Sequence, residues 1–363
     1  MALQPSGSPI SFSQIRNEFG DSSPNENGSS LGNYRVSETY GEMVNIPLDE
    51  GIPQSGPIAF SDFYGKQLNM IVNFYDGGDE VKKNMKTRFN DASQVSVVGG
   101  FISPRPATTG GTNDASRKRV IVHVAKNIGS ASQHEYTQPF NSSSNYNPYP
   151  ANNKNEVSMV TGNWDAGTEL DLWVGGSGFI VGAGGAGGKN GTDDGSNGPG
   201  DRGTSALGVT YPLNIYNYGK IAGGGGGGGG SPYAASRERS RGRRRFVFRR
   251  QYRRRDSRDA NGGAGGGGAG YPAAPGGANR RNGNQTAGAG TLTTGGAGAA
   301  GGGRGAIAGG AGGAPGYAGV TIDNNGVGGD AGHAIIISGS GSATVNVGSN
   351  NIVGGTHNGQ FDF

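Results

Sequence analysis

Arginine and aromatic residues interleave most densely in SRERSRGRRRFVFRRQYRRRD, Ser236 to Asp256, and there the sequence offers binding chemistry. The span from Arg237 to Arg258 holds 12 of the 31 lysines and arginines and only two acids, Glu238 and Asp256. Guanidinium forks grip phosphate, sulfate and carboxylate through paired hydrogen bonds, and aromatic faces stack on sugars or bases. Arg243, Arg244, Arg245, Phe246, Phe248, Arg249, Arg250, Tyr252, Arg253 and Arg254 are therefore the candidate contact residues. Three readings remain open: contact with a receptor, such as an anionic surface glycan or lipopolysaccharide phosphate, or with a partner protein; contact with a nucleic acid; or a solvated insert that binds nothing specific. Glycine beside arginine favours nucleic acid, but true RGG repeats are absent. The block alone amounts to +10 in a chain of formal net charge +4, so the remainder is net acidic. Phe-Val-Phe between arginines also alternates as an edge strand does.

Other chemistry finds no support. Four histidines, His123, His134, His333 and His357, lack metal-ligand spacing, and no nucleophile elbow is present. Asp193, Asp194 and Asp201 in TDDGSNGPGD could offer oxygen ligands to calcium, but they fit neither the EF-hand nor the nonapeptide pattern and read as a polar turn. Asp165, Glu169 and Asp171 lie around a strand and read as exposed face residues rather than a glycosidase pair. GxGxxG matches arise by chance at this glycine frequency, and none opens a helix or ends in GK[ST]. No enzyme, cofactor or metal site is expected.

The elements that would hold such a contact surface are unusual. Glycine makes up 76 of 363 residues and apolar residues only 32%, too few for conventional cores of this length. Glycine loses the most backbone entropy on ordering and buries no side chain, so backbone hydrogen bonding must do what a core ordinarily does. Cysteine is absent, which excludes disulfides and thiolate metal sites. The opening MALQPSGSPISFSQ lacks the form of a signal peptide, and no apolar run approaches a membrane span, so neither secretion nor membrane insertion is expected.

Four regions separate by composition. In residues 1–68, the phrases SGSPISFSQIRNEFG at Ser6 to Gly20 and SGPIAFSDFYG at Ser55 to Gly65 repeat one plan: Ser-Gly, Pro-Ile, Phe-Ser, then a short segment closed by glycine. Ser11 and Gln14 have capping-box spacing, predicting a helix of one to two turns, and Ser61 is placed to cap a single turn in the second phrase. Residues 69–174 contain strand-like runs, Val95–Val98, Val120–Val124, Glu156–Val160 and Glu169–Val174, separated by turn-rich stretches. They predict a small antiparallel β domain. Residues 175–330 hold 52 of the 76 glycines, including the run Gly223–Gly230. From Ala331 the alternation returns, predicting strands that close the glycine-rich part.

Three segments share a pattern. LDLWVGGSGFIVGAGGAGG from Leu170, LNIYNYGKIAGGGGGGGG from Leu213 and VNVGSNNIVGG from Val345 each give an apolar-x-apolar strand, a turn, a second strand carrying Ile180, Ile221 or Ile352, and then glycine. Collagen is excluded because glycine at every third position lasts only four steps, at Gly182 to Gly191 and Gly310 to Gly319. Extended chains with three residues per turn leave every backbone group without an internal partner, so several passes side by side can satisfy one another. The runs are Gly/Ala rather than Gly/Ser and return after strand-like lead-ins, favouring such a polyglycine II lattice over a flexible linker. Ala183, Ala186, Ala264 and Ala297 would sit where a methyl fits, and Arg304 would face outwards. Displayed loops are expected at Lys189–Leu207, Ser231–Asn261, Tyr271–Thr294 and Asp323–His333.

The two N-terminal phrases resemble short motifs at the start of many tailed-bacteriophage structural proteins. LNIYNYGKIAGGGGGGGG, with GGAGGGGAG and GTLTTGGAGAAGGG, resembles glycine-rich phage tail proteins and is similar to the polyglycine II domains of adhesins at T-even-like tail-fibre tips. The resemblance implies a virion protein, a tail-fibre or tail-tip component whose glycine-rich core presents loops for host attachment. It implies other tail proteins and a host-surface glycan or lipopolysaccharide as partners, and assembly in the host cytoplasm. Homo-oligomerisation stays open. Related tips often carry aromatic or small polar loops where this chain carries arginines, which leaves the receptor type open. The alternative is a glycine/arginine-rich nucleic-acid-binding or disordered interaction protein. The expected fold is mainly β: a helical N-terminal attachment module (1–68), an antiparallel β domain (69–174), a polyglycine II bundle (175–330) and closing strands (331–363).

Overall fold

The computed structural model describes residues 3–19, 30–40, 42–75, 77–97, 119–130, 155–188, 198–231, 262–274, 276–277, 287–301, 307–322 and 326–363. In the N-terminal part, helix α1 (Phe12–Phe19) starts where its capping residues predict. Ser11 Oγ accepts the Gln14 N–H at 3.3 Å, and Gln14 Oε1 accepts the Ser11 N–H at 2.7 Å. The second phrase forms a 3-10 turn over Phe60–Phe63, but its cap is Ala59 rather than Ser61, because Asp62 Oδ2 reaches back to the Ala59 N–H at 2.8 Å. The two phrases lie side by side. Leu3 donates to the Lys66 carbonyl at 3.0 Å, Gly65 to that of Gln4 at 2.9 Å, and the Phe12 and Phe60 rings meet edge-on at 6.4 Å. Ile15, Phe19, Tyr34 and Phe63 are buried between them, and β1 (Ser37–Tyr40) pairs antiparallel with β2 (Met43–Pro47).

The expected antiparallel domain is a parallel solenoid. Five coils each contribute one strand to each of three sheets. The first coil is β3 (Met70–Phe74), β4 (Glu80–Val81) and β5 (Lys83–Asn84), followed by α2 (Met85–Phe89) and β6 (Val95–Val97). The second is β7 (Arg119–Val124), β8 (Asn127–Gly129) and β9 (Val157–Val160); the third is β10 (Glu169–Val174), β11 (Phe179–Val181) and β12 (Ser205–Val209). β13 (Leu213–Asn217), β14 (Lys220–Ala222) and β15 (Ile335–Ile337) make the fourth coil. β16 (Ala343–Val347), β17 (Ile352–Val353) and β18 (Thr356–Asn358) make the fifth. Only β6, laid on the outer edge of β3, runs antiparallel in these sheets. Alternation of apolar residues predicts strands correctly but carries no direction. Here each strand turns a corner into the next sheet, so its neighbours come from the coils before and after. The residues from Ala331 onward, expected to close the glycine-rich part, supply the end of the last pass, β15 of the fourth coil and the whole fifth coil.

In-register stacks build the core. Val72, Val122, Leu172 and Ile215 occupy one inward position of the first sheet in successive coils, and each is buried. Burial of such a side chain contributes roughly 1.5–3 kcal/mol. Ile128, Ile180 and Ile221 stack likewise in the second sheet. The N-terminal part covers the outer face of the first sheet. There Asp171, expected from sequence to be exposed, is fully buried because that face is covered, and accepts from Arg119 Nε at 2.7 Å and Asn214 Nδ2 at 3.0 Å, while Arg119 also pairs with Glu50.

The glycine-rich passes leave from one corner, between the second and third sheets. Residues 182–188 run out after β11 and 198–204 return to β12. After β14, eight more passes intervene before β15: 223–231, 262–270, a short one through 274 and 276–277, then 287–290, 295–301, 307–314, 318–322 and 326–333. Lateral bonding repeats every third residue, as a polyglycine II bundle requires. Along the octaglycine, Gly224, Gly227 and Gly230 donate to Thr204, Asp201 and Gly198; Gly225 and Gly228 to Ala269 and Gly266; Gly226 and Gly229 to Tyr317 and Val320. Its carbonyls accept from Gly332 and Gly329, from Gly185 and Gly188, and from Gly313 and Gly310. The third pass thus has six neighbouring passes. So has the fourth, and the ten passes form two hexagons fused along their shared members.

That position explains the octaglycine. A methyl group on Gly225, Gly226 or Gly227 would overlap the carbonyl of Gly313, Gly329 or Ala186 in a neighbouring pass, and all lateral directions are occupied. Rim passes have a free side and place side chains there at three-residue spacing: Pro199 and Arg202 on the second pass, Val327 and Asp330 on the tenth, all exposed.

Candidate functional site at the outer end of the bundle

Alternation of outgoing and returning passes gathers five breaks at one end. The outer ends are residues 188 and 198, 231 and 262, 277 and 287, 301 and 307, and 322 and 326. They are bonded to one another: Gly230 donates to Gly198 at 3.0 Å, Ser231 to Gly263 at 2.9 Å, Gly263 to Ile307 at 2.9 Å, Ala287 to Gly277 at 3.1 Å and Ile322 to Gly326 at 3.0 Å. The inner turns, around Tyr271, Thr291 to Thr294 and Pro315 to Tyr317, lie at the other end of the passes, toward the solenoid.

Ser231 ends the octaglycine run and ties three passes. Its side chain is buried, and its Oγ accepts from the Gly263 N–H at 2.6 Å and donates to the Ile307 carbonyl at 2.6 Å. A hydroxyl does this because it is the smallest group with both a donor and acceptor lone pairs. The chain between Ser231 and Gly262 therefore departs from and returns to the two six-neighbour passes, at the middle of this end.

The candidate contact residues, Arg243, Arg244, Arg245, Phe246, Phe248, Arg249, Arg250, Tyr252, Arg253 and Arg254, lie in that connection and outside the described residues, as does Arg304. The topology adds what the sequence alone did not: Lys189, Arg280, Arg281 and Arg304 occupy the other connections between outer ends. The loops expected from sequence shift accordingly. Residues 198–204 are a pass and Ser205–Val209 a strand, residues 326–333 are the tenth pass, and Tyr271 is an inner turn. The break between residues 301 and 307, inside an apparently continuous Gly/Ala run, was missed; the charge of Arg304 within GGGRG is its one sequence signal.

Apolar side chains also cluster near this end. Ile307, Val320 and Val327 are exposed on the eighth, ninth and tenth passes, which adjoin one another. An exposed ion pair, Arg202 with Asp330, lies on the same side of the bundle as the second and tenth passes. Among the described residues no group of three or more histidines, cysteines or acids could hold a metal ion, and no helix is long and apolar enough to cross a membrane.

Titrating groups sit elsewhere. His123, on the outer face of the first sheet, is held below the usual histidine pKa by burial, with the Glu42 carboxylate acting the other way. Burial opposes ionisation of Glu80, but hydrogen bonds from Lys126 and Lys83 and the charge of Arg88 outweigh it and lower its pKa. Glu80 ties the first coil to the second through Lys126.

Residues 96–359 match the family model described as phage tail fibre adhesin Gp38. No curated protein matches the chain. Among solved structures, it is similar to the crystal structure of the gp37-gp38 adhesin tip complex of the bacteriophage S16 long tail fiber, at 19% identity, with 84% of this chain and 88% of that chain covered and a TM-score of 0.38.

Proposed function

Because this chain belongs to the phage tail fibre adhesin Gp38 family, a family of non-enzymatic structural adhesins, we propose how its architecture divides the work of host attachment. The outer end of the glycine bundle meets the host surface, and the solenoid side is held by the tail fibre. Host contact is made by the connections between outer ends, with the arginine block at their centre. One observation carries this: five pairs of outer ends, mutually hydrogen-bonded, lie at the end remote from the solenoid. A rigid base of main-chain bonds lets the connections vary in sequence and length without disturbing the passes beneath.

The arginine forks suit phosphate and carboxylate groups on lipopolysaccharide or acidic glycan, and Phe246, Phe248 and Tyr252 suit the faces of sugars. Replacing Arg243, Arg244, Arg245, Arg249, Arg250, Arg253 and Arg254 with serine should slow adsorption to host cells by about tenfold or more, since charge-assisted contacts contribute about 1.5–3 kcal/mol each. Parallel assays on cells stripped of lipopolysaccharide phosphate should remove the difference. An adsorption rate unchanged by the sevenfold replacement would exclude the arginine block as the contact surface.

A further inference from the structure

Two of the four histidines meet in space. His333 ends the tenth pass just before β15, and His357 lies in β18, the neighbouring strand of the third sheet. Their rings stack with centroids 4.6 Å apart and planes 10° from parallel. Sequence spacing hides the pair, because stacking of the fourth and fifth coils makes it. Main-chain bonds hold both residues in place. The His333 N–H donates to Ser205 Oγ at 2.8 Å, its carbonyl accepts the Ala206 N–H at 2.9 Å, and Ala334 donates to the Gly355 carbonyl at 3.0 Å. His357 is the register partner of Ile336, and Gly359 donates to the Ile337 carbonyl at 3.0 Å. His357 is exposed and His333 half-buried, so an ion from solvent reaches one ring at a place that the other anchors.

Imidazole is the commonest protein ligand for divalent transition metals such as copper, nickel and zinc. Two metal–nitrogen bonds of about 2.0–2.1 Å together span about 4 Å, so the pair is separated by only slightly more than an ion bridges. The rings must turn from parallel to converging. The second side-chain torsion of histidine is broad, which lets the exposed His357 ring make that turn at little cost. Gly359 keeps the approach open: a Cβ there would lie 2.9 Å from His357 Nε2. Charge favours a cation as well. Residues 331–361 contain no lysine, arginine, aspartate or glutamate, and the residues that bracket them, Asp330 and Asp362, are both acids. Arg202 pairs with Asp330 and offsets one of the two.

We infer that His333 and His357 form a two-nitrogen site for a divalent transition-metal ion, copper(II) ahead of nickel(II) and zinc(II), with water in the remaining coordination positions. The order follows from the general preference of nitrogen sites among these ions. Bound there, the ion cross-links the root of the tenth glycine pass to the last strand of the third sheet. It thereby fastens the end of the bundle to the fifth coil through side chains, where the rest of that junction relies on main-chain bonds. The site stands whether or not the outer end of the bundle meets the host.

The test uses the full chain, with copper(II), nickel(II), zinc(II) and calcium as probes. Calorimetric titration should find a single copper site, weaker binding of nickel and zinc, and none of calcium, whose ligands are oxygens. Electron paramagnetic resonance of the copper complex should show two imidazole nitrogens. His357→Ala, at an exposed position, and His333→Gln should each weaken copper binding by about tenfold or more. Gly359→Ala should weaken it severalfold by crowding His357 Nε2, and His134→Ala should leave it unchanged. In the wild-type chain, copper should slow amide exchange severalfold in Thr356–Asn358 and Ile335–Ile337 while leaving Met70–Phe74 as it was. Absence of copper binding would reduce the pair to a stacked contact and overturn the site. A spectrum with a single imidazole, binding that survives loss of either histidine, or protection confined to other strands overturns it equally.

Discussion

The backbone N–H of Gly225 donates to the carbonyl of Ala269 across 2.7 Å, joining the two passes that each have six neighbours. At Gly225, Gly226 and Gly227 the side-chain direction is occupied by the main chain of a neighbouring pass. Gly227→Ala would drive a methyl into the Ala186 carbonyl, and the whole lattice would have to shift to accommodate it. Overpacking of this kind costs about 1–3 kcal/mol, more than the entropy that alanine removes from the unfolded chain. Thermal unfolding should show a clear drop in Tm, while Ala300→Ser, at an exposed rim position, should change stability by less than about 0.5 kcal/mol.

Ser231 fastens the outer end. Ser231→Ala removes the donor to Ile307 and the acceptor for Gly263 at once. Since Gly263 also donates to the Ile307 carbonyl directly, the expected loss is about 1 kcal/mol rather than unfolding of the bundle. Hydrogen exchange should accelerate at Ser231 and Gly263 and stay slow at Gly225 to Gly228. Acceleration along the entire third pass would show that the passes lack the mutual support described.

The clamp between the N-terminal part and the solenoid runs through Arg119. Arg119→Met leaves the Asp171 carboxylate fully buried with Asn214 as its remaining side-chain partner. Stranding a buried charge in this way costs about 3–5 kcal/mol. Asp171→Asn in the same chain should recover much of the loss, because the amide is neutral. Denaturant unfolding of the single and double variants separates the two effects.

His123 predicts an acid-sensitive clamp. Its folded pKa lies below the unfolded value of about 6.5, so the unfolded chain takes up a proton first as pH falls. The stability present above that value is lost as pH falls toward the folded pKa. Glu42 and the ring of Tyr75 are the groups that face it, and Glu42 limits the loss by favouring the charged imidazole. His123→Gln should flatten the dependence of Tm on pH between about 6.5 and 5. An unaltered slope would assign that dependence to other groups.

Much of this fold was legible, though unevenly. The three repeated segments ending at Ile180, Ile221 and Ile352 are consecutive coils, and those isoleucines are register partners. The octaglycine was readable as a lattice pass because only mutual main-chain bonding can order it. Strand direction was not readable: the spacing of coils is broken by the glycine passes inserted between β11 and β12 and between β14 and β15, so the period that betrays a solenoid never repeats evenly. The second cap was misplaced because Asp62 can reach back to Ala59 as readily as Ser61 can cap forward. At the candidate site, arginine density pointed to one connection. That Arg280, Arg281 and Arg304 fall in other connections between outer ends depends on counting passes, which requires knowing where each pass turns.

The eight passes between Ala222 and Ile335 are spliced into a single coil, whose flanking strands are fixed by their neighbours in the coils above and below. Adding or deleting residues beyond an outer end therefore moves nothing at the root. If, as proposed, the outer end meets the host, the tip can be rewritten against new hosts while the strands at the root keep their register, so a change of host range need not be relearned by the rest of the chain.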